Sequence, residues 1–137
     1  MTARPDAVFR PMEDRGRQAV LALSWAWAEE NITYGYFAGG DKELDGYRCW
    51  VAGVGGEVAG YAAGQMETAF RDSSIQRTGD QWFELEELYV DQSHRSCGLG
   101  GRLLDYVEGQ LRGQGPLLRF YLCRGMTLYS VRAFRDL

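Results

Sequence analysis

From Trp82 to Arg112 the chain passes once from strand-like to helix-like patterning, and it does so across a short turn that contains glycine. Trp82 to Val90 reads as a strand. Beyond the turn, Leu99, Leu103, Leu104, Val107 and Leu111 recur at helical spacing and give a helix from about Leu99 to Arg112 one apolar stripe. Gly113 to Pro116 stops that helix, and Leu117 to Cys123 reads as another strand. A strand running through a glycine turn into an amphipathic helix, and on to a further strand, restricts the chain to folds that mix sheet and helix. It also sets the unpaired amides of the helix N-terminus at the end of a strand, where chemistry is expected.

The flanking segments fit such a fold. Ala7 to Met12 is a short extended stretch, and Asp14 is placed to cap a helix from about Arg15 to Glu30. Val20, Leu23 and Trp27, with Leu21, Trp25 and Ala28 beside them, form that helix's apolar face, and the tryptophans read as core. Asn31 to Gly46, rich in glycine and tyrosine, has room for a second short helix. Cys49–Val54 and Glu57–Ala63 flank Gly55-Gly56, a hairpin signal, because glycine accepts the positive φ angles of a tight turn. Glu67 to Gln81 reads as a loop, and a last helix is expected from Thr127. The order β-α-(α)-β-β-β-α-β-α describes a single mixed α/β domain over residues 1–137.

Composition removes several classes of function. The 137 residues are 45% hydrophobic and 13% aromatic, which supplies a core and argues against disorder. A net charge of −4 argues against binding nucleic acid through overall charge. No apolar run is long enough to cross a bilayer, and the first residues carry no secretory signal. The three cysteines, Cys49, Cys97 and Cys123, are widely spaced, without CxxC, and read as free thiols in a reducing, cytoplasmic setting. With His94 the only histidine, zinc sites built on several histidines are excluded, and no metal is expected.

The turn itself reads Asp91-Gln92-Ser93-His94-Arg95-Ser96-Cys97-Gly98-Leu99-Gly100-Gly101-Arg102. Amides at a helix N-terminus, together with the helix dipole, suit a diphosphate, and Arg95 and Arg102 would add positive charge. The glycine pattern is neither GxGxxG nor a P-loop. Arg95, Gly98 and Gly100 do match Arg/Gln-x-x-Gly-x-Gly/Ala, preceded by Leu88 and Val90 as a strand ending in Leu-x-Val and by His94 before the arginine. On these residues the chain resembles the GNAT superfamily of acyl-CoA-dependent N-acyltransferases. The resemblance implies a central, mostly antiparallel sheet flanked by helices. It further implies coenzyme A held by Leu88, Tyr89 and Val90 along the strand and by Arg95, Ser96, Cys97, Gly98, Leu99, Gly100, Gly101 and Arg102 in the loop. Acetyl-CoA is then the co-substrate, and an amine attacks it directly through a tetrahedral intermediate. His94 is expected to organise the loop, and Cys97 to be an incidental small side chain.

An ammonium acceptor must lose a proton before it attacks, so carboxylates near the loop are candidates for binding its charge or relaying its proton. Glu84, Glu86 and Glu87 lie on the preceding strand, and simple alternation puts Glu84 and Glu86 on one face and Glu87 on the other. The string from Phe83 to Val90 is similar to the strand of polyamine and related small-amine acetyltransferases. In those enzymes an acidic pair stands where Glu86-Glu87 stand here. This implies a small cationic amine as acceptor, with Glu86 and Glu87 as the catalytic candidates. The family's usual tyrosine acid falls on Phe134, and the family's last two strands are expected to be absent. The uncovered edge at 117–123 then predicts a homodimer. Two other readings remain open: a catalytically degenerate acyl-CoA-binding module, and a nucleotide-binding protein whose loop holds another diphosphate.

Overall fold

The computed structural model describes residues 6–32, 36–74, 77–95, 97–112 and 117–120. Five strands form one sheet in the order β1 (Ala7–Pro11), β2 (Arg48–Val54), β3 (Glu57–Thr68), β4 (Gln81–Val90) and β5 (Leu117–Phe120). The first four pair antiparallel, and β5 joins β4 in parallel. Helix α1 (Arg17–Glu30) and the short α2 (Asp41–Asp45) precede β2, and α3 (Leu99–Arg112) links β4 to β5. A parallel neighbour has to be reached by a crossover, and α3 supplies it. This is the mixed α/β architecture expected from the sequence. The last helix from Thr127, Phe134 and residues 121–123 lie outside the described residues.

The sheet carries a separate apolar layer on each face. On one, Leu99, Leu103, Leu104, Val107 and Leu111 of α3 meet Trp50, Ala52, Ala62, Phe83 and Leu85. On the other, Val20, Leu23 and Trp27 of α1 and Leu44 of α2 meet Val51, Tyr61, Ala63 and Tyr89. All five leucine and valine positions of the α3 stripe are buried. Burial of Cys49 in the second layer pushes its thiol up to about 12, so it stays protonated and inert.

Two local expectations are corrected. Asp14 does not cap α1: residues Asp14–Gly16 form a 3-10 turn, and Gly16 takes the cap position with no side-chain bond. Trp25 is 61% exposed, because on α1 it points away from the face that carries Val20, Leu23 and Trp27. The Gly55-Gly56 hairpin forms as read, with φ of 61° and 84° at the two glycines.

The correction with functional weight concerns β4. Its pairing with β3 slips between Ala63 opposite Glu87 and Gly64 opposite Leu85, which leaves Glu86 as an extra residue, a β-bulge. Leu85 and Leu88, three apart, therefore both face α3, while Glu87 and Tyr89 face α1. Glu86 is bonded by Gln65, whose register partner is Glu84. All three carboxylates thus share the α1 face. Simple alternation separated them because it does not count the bulge.

The bulge requires a bare backbone opposite it. A Cβ on Gly64 would lie 2.1 Å from the carbonyl oxygen of Glu84. Gly64→Ala is expected to destabilise the fold by about 1–3 kcal/mol through overpacking. Gly109→Ala, where nothing lies within 4 Å of the added carbon one turn before the end of α3, should instead stabilise by up to about 1 kcal/mol. Urea unfolding of the two variants beside the parent checks both signs.

Candidate functional site

The site lies where β4 ends and α3 begins. Among the described residues β5 pairs only with Trp82–Leu85 of β4, and the part of β4 beyond the bulge continues toward the turn. Asp91 starts that turn by donating its amide to Ala59, and Gln92–His94 make one 3-10 turn. His94 Nδ1 lies 3.3 Å from Asp91 Oδ2 and 3.1 Å from Ser93 Oγ, so His94 braces the loop as expected. Cys97 donates its thiol to the His94 carbonyl at 2.9 Å. Ser96 lies outside the described residues.

Gly98 has a φ of 79°, a conformation other side chains rarely adopt, and it turns the chain into α3. Arg102 donates the bond that reaches back to the Gly98 carbonyl. The amides of Leu99, Gly100 and Gly101 therefore belong to the first helical turn and have no intrahelical acceptor. At Gly101 no atom lies within 4 Å of where a Cβ would stand, and at Gly100 the nearest is Val90 Cγ2 at 3.5 Å. The missing side chains leave main-chain N–H groups at the positive end of a 14-residue helix. This arrangement fits a diphosphate.

The cations expected beside it are used differently. Arg95 turns away to α1, donating from Nη1 and Nη2 to the two oxygens of Glu30 at 2.7 and 2.5 Å, and from Nε to the Val90 carbonyl at 3.0 Å. Its guanidinium also lies 5.2 Å from the ring centre of Tyr89, whose hydroxyl donates to Glu30 as well. The charge that the sequence assigned to the diphosphate is neutralised by a carboxylate. The Arg102 guanidinium sits 5.3 Å from the Phe9 ring centre, beside the same helix turn.

On the α1 face, Glu87 is buried and accepts bonds from Tyr61 Oη at 2.6 Å and Tyr36 Oη at 3.0 Å. Tyr36 Oη and Ser24 Oγ are 2.6 Å apart, and the Gly39 amide donates to Ser24 at 3.1 Å. Burial is the main cause raising both tyrosine pKa values, with Glu87 adding to it, so both phenols remain donors. Glu86 is half-buried and accepts from Gln65 Nε2 at 3.3 Å. Between α1, α2 and the sheet lies a recess that Ser24, Glu43, Tyr47, Tyr61 and Glu87 help to line. Sequence reasoning missed Glu30, Tyr36 and Tyr61. A signal for Glu30 exists: an acid in the last turn of a helix opposes the helix dipole, which points to a partner elsewhere.

The profile of the Acetyltransferase (GNAT) family matches residues 14–135. The chain belongs to this family. No curated protein matches it. Solved structures share its fold at low identity. A ribosomal-protein-alanine N-acetyltransferase from Brucella melitensis biovar Abortus 2308 is 16% identical over 84% of this chain and 79% of that one, with a TM-score of 0.62. An aminoglycoside acetyltransferase from an uncultured soil metagenomic sample is 16% identical over 85% and 78%, with a TM-score of 0.61. A predicted acetyltransferase from Clostridium acetobutylicum, solved with acetyl-CoA, is 13% identical over 96% and 88%, with a TM-score of 0.64. Membership implies acetyl transfer from acetyl-CoA to an amine. Among the described residues no group of three or more His, Cys, Asp and Glu is disposed to hold a metal ion, and no helix is long and apolar enough to cross a membrane.

The Glu30–Arg95 pair has a measurable pH signature. Arg95 is the main cause holding the Glu30 carboxyl below its ordinary value of 4.5. A carboxyl lowered in the native state stabilises the fold above its unfolded pKa, and that contribution is lost as pH falls through the native value. Glu30→Gln should therefore lower Tm at neutral pH, and its gap to the parent should close as pH is taken below 4.5. Thermal melts from pH 7 to about pH 3 check this, and a gap that stays constant contradicts it.

Proposed function

We propose that this chain acetylates a small cationic amine. Supporting this is one juxtaposition: an α3 N-terminus bared by glycine adjoins a strand whose α1 face groups Glu84, Glu86 and Glu87. When bound, acetyl-CoA supplies its acetyl group as a thioester, and a neutral amine attacking it yields an amide and a free thiol. The amides of Leu99, Gly100 and Gly101 receive the diphosphate, with Arg102 beside them. Leu88, Tyr89 and Val90 offer the strand backbone along which the pantetheine arm extends. Cys97 belongs to the same loop.

The carboxylates address the acceptor. Glu86, half-buried and held by Gln65, takes up the proton an ammonium must lose, directly or through one water. Glu87, held by two phenols at the recess that Glu43 also lines, supplies fixed negative charge. Two carboxylates among tyrosines favour a cation over a neutral or anionic acceptor.

Acetyl-CoA should raise Tm at micromolar concentration, since a ligand that binds only the native state stabilises it. Gly100→Glu, which puts bulk and negative charge into the cradle, should abolish that shift. An undiminished shift would refute the loop assignment, and a larger shift with ATP or NAD would favour a nucleotide. Mass spectrometry of amine panels incubated with acetyl-CoA then tests turnover. Glu86→Gln should lower turnover of a cationic amine by about 10²–10⁴-fold with acetyl-CoA affinity nearly unchanged. Binding without any acetylated product leaves an acyl-CoA-binding module in place of an enzyme.

A further inference from the structure

Arg95 occupies the arginine position of the loop motif, yet its three nitrogens are committed to protein acceptors. Nη1 and Nη2 grip Glu30 as a fork on both carboxylate oxygens, and Nε holds the Val90 carbonyl. Such two-point pairing fixes direction as well as distance. Glu30 is the last residue of α1, and its carboxylate also accepts from Tyr89. The Arg95 bonds use three of its five N–H groups, and to swing the guanidinium toward a phosphate Arg95 would have to abandon a carboxylate whose side chain is only 14% exposed. Leaving that charge without its partner is costly.

The pair joins two regions with different tasks. Arg95 lies three residues before Gly98, so its position sets where the free amides of the next helical turn point. On the other side, Trp27, one turn before Glu30, stacks on Tyr89 at 5.3 Å and on Tyr36 at 4.0 Å between ring centres. Tyr36 in turn donates to Glu87. The end of α1 is thus fastened to the loop by a charge fork and to β4 by an aromatic stack.

We infer that Arg95 is a positioning residue, not a phosphate ligand: tethered by Glu30, it holds the loop so that the amides of Leu99, Gly100 and Gly101 meet the acetyl-CoA diphosphate. The inference rests on the loop reading given above and adds Glu30 to the machinery of cofactor binding. It makes an unusual demand, because removing a negative charge should weaken the binding of an anion. A phosphate-binding Arg95 predicts the reverse: without Glu30 as competitor it would bind the anion equally well or better.

Calorimetric titration of acetyl-CoA into the parent, Glu30→Gln, Arg95→Gln and the double variant separates the cases, with folding of each checked by circular dichroism. The tether predicts that either single change weakens acetyl-CoA by about tenfold, the scale of the coupling between residues in contact. The double variant should be little worse than either single one, because both remove the same link. Salt dependence of the affinity should be the same in Arg95→Gln as in the parent, since no phosphate contact is lost. Unchanged or tighter binding by Glu30→Gln overturns the inference, as does a flattened salt dependence in Arg95→Gln. Unchanged affinity in all variants with lowered Tm also overturns it, leaving a pair that only stabilises the fold. A parent that fails to bind acetyl-CoA removes the loop reading itself, which the parent titration reports separately.

Discussion

The extra residue in β4 decides how the molecule is divided. Because Glu86 bulges out of register, the strand presents Phe83 and Leu85 to α3 before it and Leu88 and Val90 to α3 after it. The same slip turns Glu87 and Tyr89 toward α1, where one joins the phenols and the other the Glu30–Arg95 pair. Without the bulge, Glu87 would project into the leucine layer under α3. An unpaired carboxylate there is far too costly to keep. Gly64 is the complementary half of this device, since only a bare α-carbon leaves room for the displaced Glu84 carbonyl.

The polar groups on the α1 face are affordable because they satisfy one another. Gly39, Ser24, Tyr36, Glu87 and Tyr61 form a continuous hydrogen-bonded chain through a layer that is otherwise apolar. A buried network of this kind fixes geometry when complete and is costly when broken. It also ties the segment after α1 to the middle of the sheet.

Much of this was legible in the sequence. Helix α3 announces itself by period, β4 as the strand that leads into it, the hairpin by Gly55-Gly56, and the family by Arg95, Gly98 and Gly100 with Leu88 and Val90. What escaped has physical causes. A bulge changes the parity of a strand without changing its composition, so Glu84, Glu86 and Glu87 could not be assigned to faces by counting. Arg95 looked like a free cation because its partner lies 65 residues away in the chain. Asp14 had the right chemistry for a cap, but a 3-10 turn took up its place. Tyr61 stood among alanines and glycines in β3, and nothing local distinguishes a phenol that fills space from one that carries a proton to a carboxylate.

The glycine-bared start of α3 has a consequence for how freely such a chain can drift. The surface proposed to receive the diphosphate is the peptide backbone, and the peptide backbone is the same whatever residues follow. Only Gly98, through its φ, and the openness at Gly100 and Gly101 constrain the letters there. On the α1 face the opposite holds, since every hydrogen bond in the chain from Ser24 to Tyr61 names a particular side chain. A scaffold of this kind can keep one donor while its choice of recipient wanders. Its lineage would then be recognisable by shape long after the spelling has ceased to agree.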